Sequence, residues 1–326
     1  MAGLPGLSWV IRVHCRYPDC GREEKRDQQC IFHFQNKTEQ EAAEFWSELA
    51  QHKKRSEEDP SVEIVDFEGF CYPQGCDFRK EHFRKQASFA NAAFRGEAWF
   101  VGATFSGDAY FSEATFSGDA VFIDVTFSEG AYFVGATFSG SATFVHGAFT
   151  GDAYFGGAKL KGLTSFVDAS FSGEVLFGGA TFKNAFFEKA VFRGSLDLGA
   201  RFDGIAVFER VIFQRDTIES GDLEAATKGN IHLPVTSFGG AYVSEGAEVR
   251  FIQQREYRSD LGVERNLGID RVSFLHVDLE RFNFQQVEWG RLHGRRAVVE
   301  EALMGKPPLR KCHSGAGSAN MCSPQG

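Results

Sequence analysis

The chain has 326 residues, with 44 acidic against 35 basic side chains, a formal charge of −9, and 35 Phe beside 3 Met and 7 Tyr. That balance argues against a protein held to nucleic acid by phosphate neutralisation, and it offers an anionic membrane little. A single aromatic dominating the apolar set points to one packing slot used many times, where an ordinary core mixes Leu, Ile, Val and Phe.

The opening stretch "MAGLPGLSWVIRV" lacks the basic flank and the apolar length of a secretory signal. No segment approaches the roughly 18 apolar residues that span a bilayer. The seven Cys are odd in number and unevenly placed, which fits a reducing compartment. A cytoplasmic protein is expected.

The first motif is "CRYPDCGREEKRDQQCIFH", which sets Cys15, Cys20, Cys30 and His33 in the spacing C-x4-C-x9-C-x2-H. Thiolates and imidazole are the usual zinc ligands, and two close pairs separated by a loop suit a closed tetrahedral site, structural rather than catalytic. The glycine after Cys20 stands where a knuckle turn needs one. A segment this short and polar has little core of its own, so Zn2+ would be its staple. The alternative is ordinary reduced cysteines beside a surface histidine. Residues 1–36 are read as this zinc module.

A helix follows in "TEQEAAEFWSELAQH", opened by the capping-box pair Thr38 and Glu41. Ala42, Phe45, Trp46 and Leu49 share one face, expected to cover the open end of what comes next. "KKRSEEDPS" (Lys53–Ser61) reads as a linker, so 37–66 is capping helix and linker. Cys71 and Cys76 form a second C-x4-C, read as core packing because Cys76 falls in an inward small-residue slot.

From Phe78 to Phe182 twenty centres recur at alternating steps of five and six residues, all Phe except Leu160, and the slot two before each is Ala in fourteen cases. On a helix, at ~100° per residue, steps of five and six rotate the Phe by about 140° and 240°, so no apolar face forms. The repeated glycines would cost about 1 kcal/mol each inside a helix. A short strand fits: in Ala-x-Phe the Ala and Phe point inward and the residue between them outward. The result is an all-β solenoid whose repeats contact only their neighbours.

Units such as "ATFSG", "AYFSE" and "AVFID" resemble the pentapeptide-repeat proteins. The resemblance implies a right-handed quadrilateral β-helix with four faces per coil. One extra residue in every second repeat (Asp108, Asp119, Gly130, Ser141, Asp152) makes the coil about 22 residues, so twenty centres make five coils with a looser corner on two sides. The "C…CG…CIFH" lead-in is similar to one carried by some bacterial members of that family.

After Phe182 the rhythm drifts and ends near Phe213, closing a β-helix over 67–213. Residues 214–268 read as an interruption of helical and loop character. "VSFLHVDLERFNFQQVEW" restores strict fives at Phe274, Leu279, Phe284 and Trp289, giving one final coil over 269–291. The Gly-, Ser- and Pro-rich tail 292–326 is expected to be largely disordered, and Cys312 and Cys322 in it have no assigned role.

No phosphate loop, nucleophile elbow or H-E-x-x-H occurs, and no catalytic residue is assigned. Asp124, His146 and Asp168, spaced by 22, would stack in one outward column, read as solvated decoration. The expected function is a non-enzymatic protein-interaction scaffold with an unnamed protein partner, no direct nucleic-acid or membrane binding, and a monomeric or end-to-end dimeric state. Some members of the resembling family are acidic rods that imitate duplex DNA at a type II topoisomerase such as DNA gyrase. Seven acidic residues and no Lys or Arg between Glu97 and Ala158 keep that alternative open.

Overall fold

The computed structural model describes residues 15–18 and 20–213, with short strands between 236 and 296. Among the described residues there is one helix, α1 (Glu39–Glu58), followed by a parallel β-solenoid of about seven turns. No described helix is long and apolar enough to cross a membrane.

Each regular coil has four short strands, those of faces 3 and 4 merging into one at Lys159–Ser165 and Thr181–Phe186, and each strand pairs in parallel with its equivalent one coil away. Thr104 lies opposite Thr126, Ala109 opposite Ala131, Thr115 opposite Thr137, and Ala98 opposite Ala120. These pairs set the 22-residue coil. We number the faces by their inward Phe: face 1 carries Phe105 and Phe127, face 2 Phe111 and Phe133, face 3 Phe116 and Phe138, face 4 Phe122 and Phe144.

The inward positions explain the composition. Phe89, Phe111, Phe133 and Phe155 stack at 4.9 Å between successive ring centroids, nearly parallel. Within a coil, Phe111 and Phe122 meet edge to face at 5.6 Å. Both are favoured arrangements of the aromatic quadrupole, and the stacking distance matches the ~4.8 Å between neighbouring strands. The residue two positions before the Phe, Ala in most coils, is equally buried, and Val125 and Val175 fit the same slot.

The alternation of five and six comes from two kinds of corner. After faces 2 and 4 the chain makes a tight turn in which the amide of Ala92, for example, donates to the Phe89 carbonyl at 3.1 Å. The second residue past the Phe is left-handed, as at Glu113 (φ 57°), Asp124 (φ 54°) and His146 (φ 56°), the geometry of a type II turn. After faces 1 and 3 the wider corner holds the extra residue. There the glycines stack on the coil below: a Cβ on Gly162 would lie 2.3 Å from the Gly140 carbonyl oxygen, and one on Gly140 2.7 Å from that of Gly118.

The rod is longer than five coils at both ends. Below Phe78, Phe67 stacks on Phe89 at 4.7 Å and Tyr72 on Phe94 at 4.5 Å. Above Phe182 the coil shortens without breaking. The offset between paired strands is 21 at Ser170 and Val191 and 20 at Phe182 and Phe202, while Phe187 still stacks on Phe208 at 4.6 Å.

Two expectations need correction. The stretch 214–268 carries three strands of the solenoid: Thr236–Ser237, Tyr242–Val243 and Glu248–Ile252 pair with Leu196–Asp197, Arg201–Phe202 and Ile205–Glu209. Phe282–Gln285 of the expected final coil then pairs with Glu248–Ile252. Within the expected tail, Arg295–Arg296 pairs antiparallel with Arg291–Leu292. The rest of the tail, Cys312 and Cys322 included, lies outside the described residues, as do the centres Phe274, Leu279 and Trp289.

Helix α1 also runs through Lys53–Glu58, where a linker was expected. Its charges are used in place: Lys53 pairs with Glu57 at 3.6 Å and with Glu81 of the rod at 2.7 Å. Lys85 donates to the carbonyls of Ser56, Asp59 and Val62, satisfying the helix end. Phe45 and Leu49 are buried, and Phe45 meets Tyr72 edge-on at 5.3 Å. The apolar face of the helix thus closes the first coil.

Candidate metal centre

The N-terminal segment folds back on itself through main-chain bonds from Cys15 to Arg22 (2.8 Å) and from Arg16 to Gln28 (2.6 Å). Gly21 is left-handed at φ 60°, completing the turn after Cys20. The Cys30 carbonyl accepts from the amides of His33 and Phe34, turning Cys30 and His33 toward the first pair.

All four residues singled out in the sequence come together. Their ligand atoms lie within 4.8 Å of one another. Cys20 Sγ is 3.6 Å from Cys30 Sγ, and His33 Nδ1 is 3.2 Å from Cys30 Sγ and 3.4 Å from Cys15 Sγ. Tetrahedral zinc with Zn–S of about 2.3 Å and Zn–N of about 2.0 Å requires separations of roughly 3.5–3.8 Å. The cluster therefore has the size and donor chemistry of a closed Cys3His site.

Electrostatics point the same way. Burial pushes the Cys30 thiol up to about 12, reinforced by the neighbouring Cys20. Burial also disfavours the Cys20 thiolate, but hydrogen bonds from Arg22 and Cys30 outweigh it and its pKa is lowered. Burial holds His33 neutral, with its pKa lowered to about 4, the state in which imidazole is a ligand. A buried thiol pair beside a neutral imidazole is what a dication stabilises by displacing the thiol protons.

The surroundings orient the donors. His33 Nε2 lies 3.2 Å from the Glu68 carbonyl, to which it donates when Nδ1 is the ligand. The imidazole stacks on Tyr17 at 4.0 Å and meets Phe70 edge-on at 5.5 Å. Arg22 stands 3.7 Å from Cys20 Sγ and 4.7 Å over the Phe32 ring. Phe32 stacks on Phe70 at 4.3 Å, and its carbonyl accepts from the Cys71 amide at 2.7 Å, joining the head to the first coil. Gly69, left-handed at φ 65°, leaves the space taken by Tyr17, whose ring would lie 2.2 Å from a Cβ there.

Sequence reading missed Tyr17, Arg22 and the Glu68 carbonyl. No local signal marks them, because each acts on the cluster only through the fold. Cys71 and Cys76 are buried and stand apart from the cluster, their thiols raised by burial. Asp124, His146 and Asp168 do stack in one outward column, with His146 3.2 Å from Asp124 and 3.9 Å from Asp168.

The family model described as pentapeptide repeats (9 copies) matches residues 74–115, 100–147 and 148–191. In a comparison with curated proteins, none matches the chain.

Proposed function

The rod of this chain is built of pentapeptide repeats, and on that premise we propose that the protein is a non-enzymatic protein-interaction scaffold, a stiff rod headed by a zinc-stabilised module. The observation that carries this reading is the division between inside and outside. Inward positions are nearly invariant Phe and Ala, whereas the outward rows differ from face to face. Face 2 carries a ladder of Tyr110, Tyr132 and Tyr154, stacked at 4.8 and 5.1 Å. Asp108 and Asp152 accept from the Tyr110 and Tyr154 hydroxyls at 3.1 and 3.0 Å. Flat, rigid rows of this kind suit recognition by a partner surface, with little ordering entropy left to lose.

The test is partner capture by cross-linking in cells with the full chain. Three forms would be compared: wild type, a form with outward residues of one face changed at a time, and a form with Cys30→Ser in the head. Loss of partners on changing a rod face supports the scaffold. Retention in every rod variant, with loss in Cys30→Ser, would move recognition to the head and sink this reading.

A second reading, mimicry of duplex DNA at a topoisomerase, draws on the run of seven acidic residues. Several of these carboxylates serve the rod itself. Asp108, Asp119 and Asp152 accept from main-chain amides of Gly130, Ser141 and Glu174 in the next coil. The mimic predicts inhibition of gyrase supercoiling that disappears when Asp108, Asp119 and Asp124 become Asn. No inhibition by the wild-type rod would remove it.

A further inference from the structure

Face 4 differs from the other three on its outside. Just before each buried Phe, the outward row runs Trp99, Val121, Thr143 and Ser165 in register, then Phe186 and Val207. Just after each Phe stands a second row, Val101, Ile123, Val145 and Val167. The amides of Gly102, Asp124 and His146 donate to the carbonyls of Ile123, Val145 and Val167, which keeps that row aligned. All four aliphatic side chains are partly exposed.

Strand propensity does not account for the second row. Its members lie in the tight corner, a turn position that favours proline and polar residues. Face 2, whose corner is tight in the same way, has Ala90, Ser112, Val134 and Gly156 at these positions, while face 1 has Ser106, Ser128, Thr150 and Ser172 and face 3 begins Ser117 and Ser139. Only face 4 carries Val or Ile at four successive corners.

The strip has charged boundaries. At its lower end Arg79 pairs with Asp77 and sits 6.0 Å over Trp99. At its upper end Arg210 lies 3.2 Å from both Glu188 and Glu209. Along one side run Glu97 and Asp119, and along the other Asp124 and Asp168 with His146 between them, all exposed. Two-fold packing of one strip against its own copy would set these acidic edges against each other, which is repulsive. The complement is an apolar row edged by cations.

The form of the occupant follows from the backbone. Strands within the rod already pair with the coils above and below, so an extended peptide finds no free main-chain edge here. A helix brings its own hydrogen bonds and docks by side chains. Its ~5.4 Å pitch is close to the ~4.8 Å coil spacing, and the four coils from Val101 to Val167 offer about 15–20 Å, some three turns. Resting on the scaffold reading, we propose that the outward strip of face 4 is the docking surface for a cationic amphipathic helix of a partner protein.

The test uses the full-length protein and a fluorescein-labelled 14-residue peptide with a leucine stripe edged by lysines, followed by anisotropy. Two further peptides serve as comparison, one with each Lys replaced by Glu and one with the same composition permuted to destroy the stripe. Binding of the striped cationic peptide at least tenfold tighter than either, with a blue shift of Trp99 emission that Trp99→Phe removes, is the expected result. Ile123→Asp with Val145→Asp should then weaken binding at least tenfold, whereas Thr115→Asp with Thr137→Asp on face 3 should not. The strip pair adds negative charge, so weaker binding reports lost apolar contact. If that pair does not fold, Ile123→Ser with Val145→Ser replaces it. Equal affinity for the permuted peptide, or no loss in the strip variant, overturns the proposal. If cellular partners are instead lost on changing Tyr110 and Tyr132 of face 2, the strip is wrong and the scaffold stands. If no face variant loses them, the scaffold falls as well.

Discussion

The head and the rod solve the same problem, a short segment with too little core, in opposite ways. The head gathers four ligand atoms within 4.8 Å and leans on Tyr17, Arg22 and Phe32 around them. With zinc bound among them, its order would hang on one point. The rod spreads its order over many equal contacts between successive Phe rings, so each coil answers only to the coil above and the coil below. Stability by a single keystone is lost at once; stability by repetition is lost a coil at a time.

Removing the keystone should have the largest effect. Cys30→Ser, or a strong chelator, should take zinc stoichiometry from one to zero by native mass spectrometry. Structural zinc contributes on the order of 10 kcal/mol in small modules. Hydrogen exchange should therefore rise across residues 15–36 and stay unchanged beyond Phe89. Exchange spreading far up the rod would mean that the two regions fold as one unit and would break the contrast.

The rod's counterpart is Phe122→Ala. Phe122 is fully buried, 4.7 Å from Phe100 and 5.0 Å from Phe144, so its loss should cost about 3–5 kcal/mol. The damage should appear as faster exchange in its own coil and the two adjoining ones. Gly140→Ala tests the corner instead. Its new Cβ meets the Gly118 carbonyl carbon and oxygen at 2.7 Å, and crowding of this kind costs about 1–3 kcal/mol, read as a lower midpoint in urea. The smallest effect should be a gain. The buried Tyr72 hydroxyl has no hydrogen-bond partner among the described residues, so Tyr72→Phe should stabilise by about 1 kcal/mol, seen as a small rise in melting temperature.

How far these features could be read in advance depends on what the chain writes locally. The spacing of the Phe centres fixed the coil length because each inward slot repeats the same sterics. The Cys and His of the head stand out because few residue types bind zinc. The strands past Phe213 were hidden: Leu198 and Phe202 are only four apart, so the spacing is already lost there, while strand pairing continues at Thr236–Ser237, Tyr242–Val243 and Glu248–Ile252. The last turns of helix α1 were hidden too. Lys53–Glu58 is a charge run, and what holds it helical, Lys85 and Glu81, lies on the rod. Tyr17 is invisible for the same reason: its partner is the His33 ring, brought to it by the fold.

The alternation of tight and wide corners has a consequence for how such a rod changes through generations. Inside, the pattern repeats every eleven residues: one tight corner, one wide corner, two Phe. Outside, the tyrosines and the aliphatic strip each return only every 22. Gain or loss of an eleven-residue unit would leave the interior in register yet turn everything beyond it half-way round the axis. The tyrosine ladder would then continue into the Val and Ile side. A duplication of 22 would lengthen each face without mixing them. The interior accepts either event, so whatever keeps the faces distinct must act from outside the fold, through what touches them.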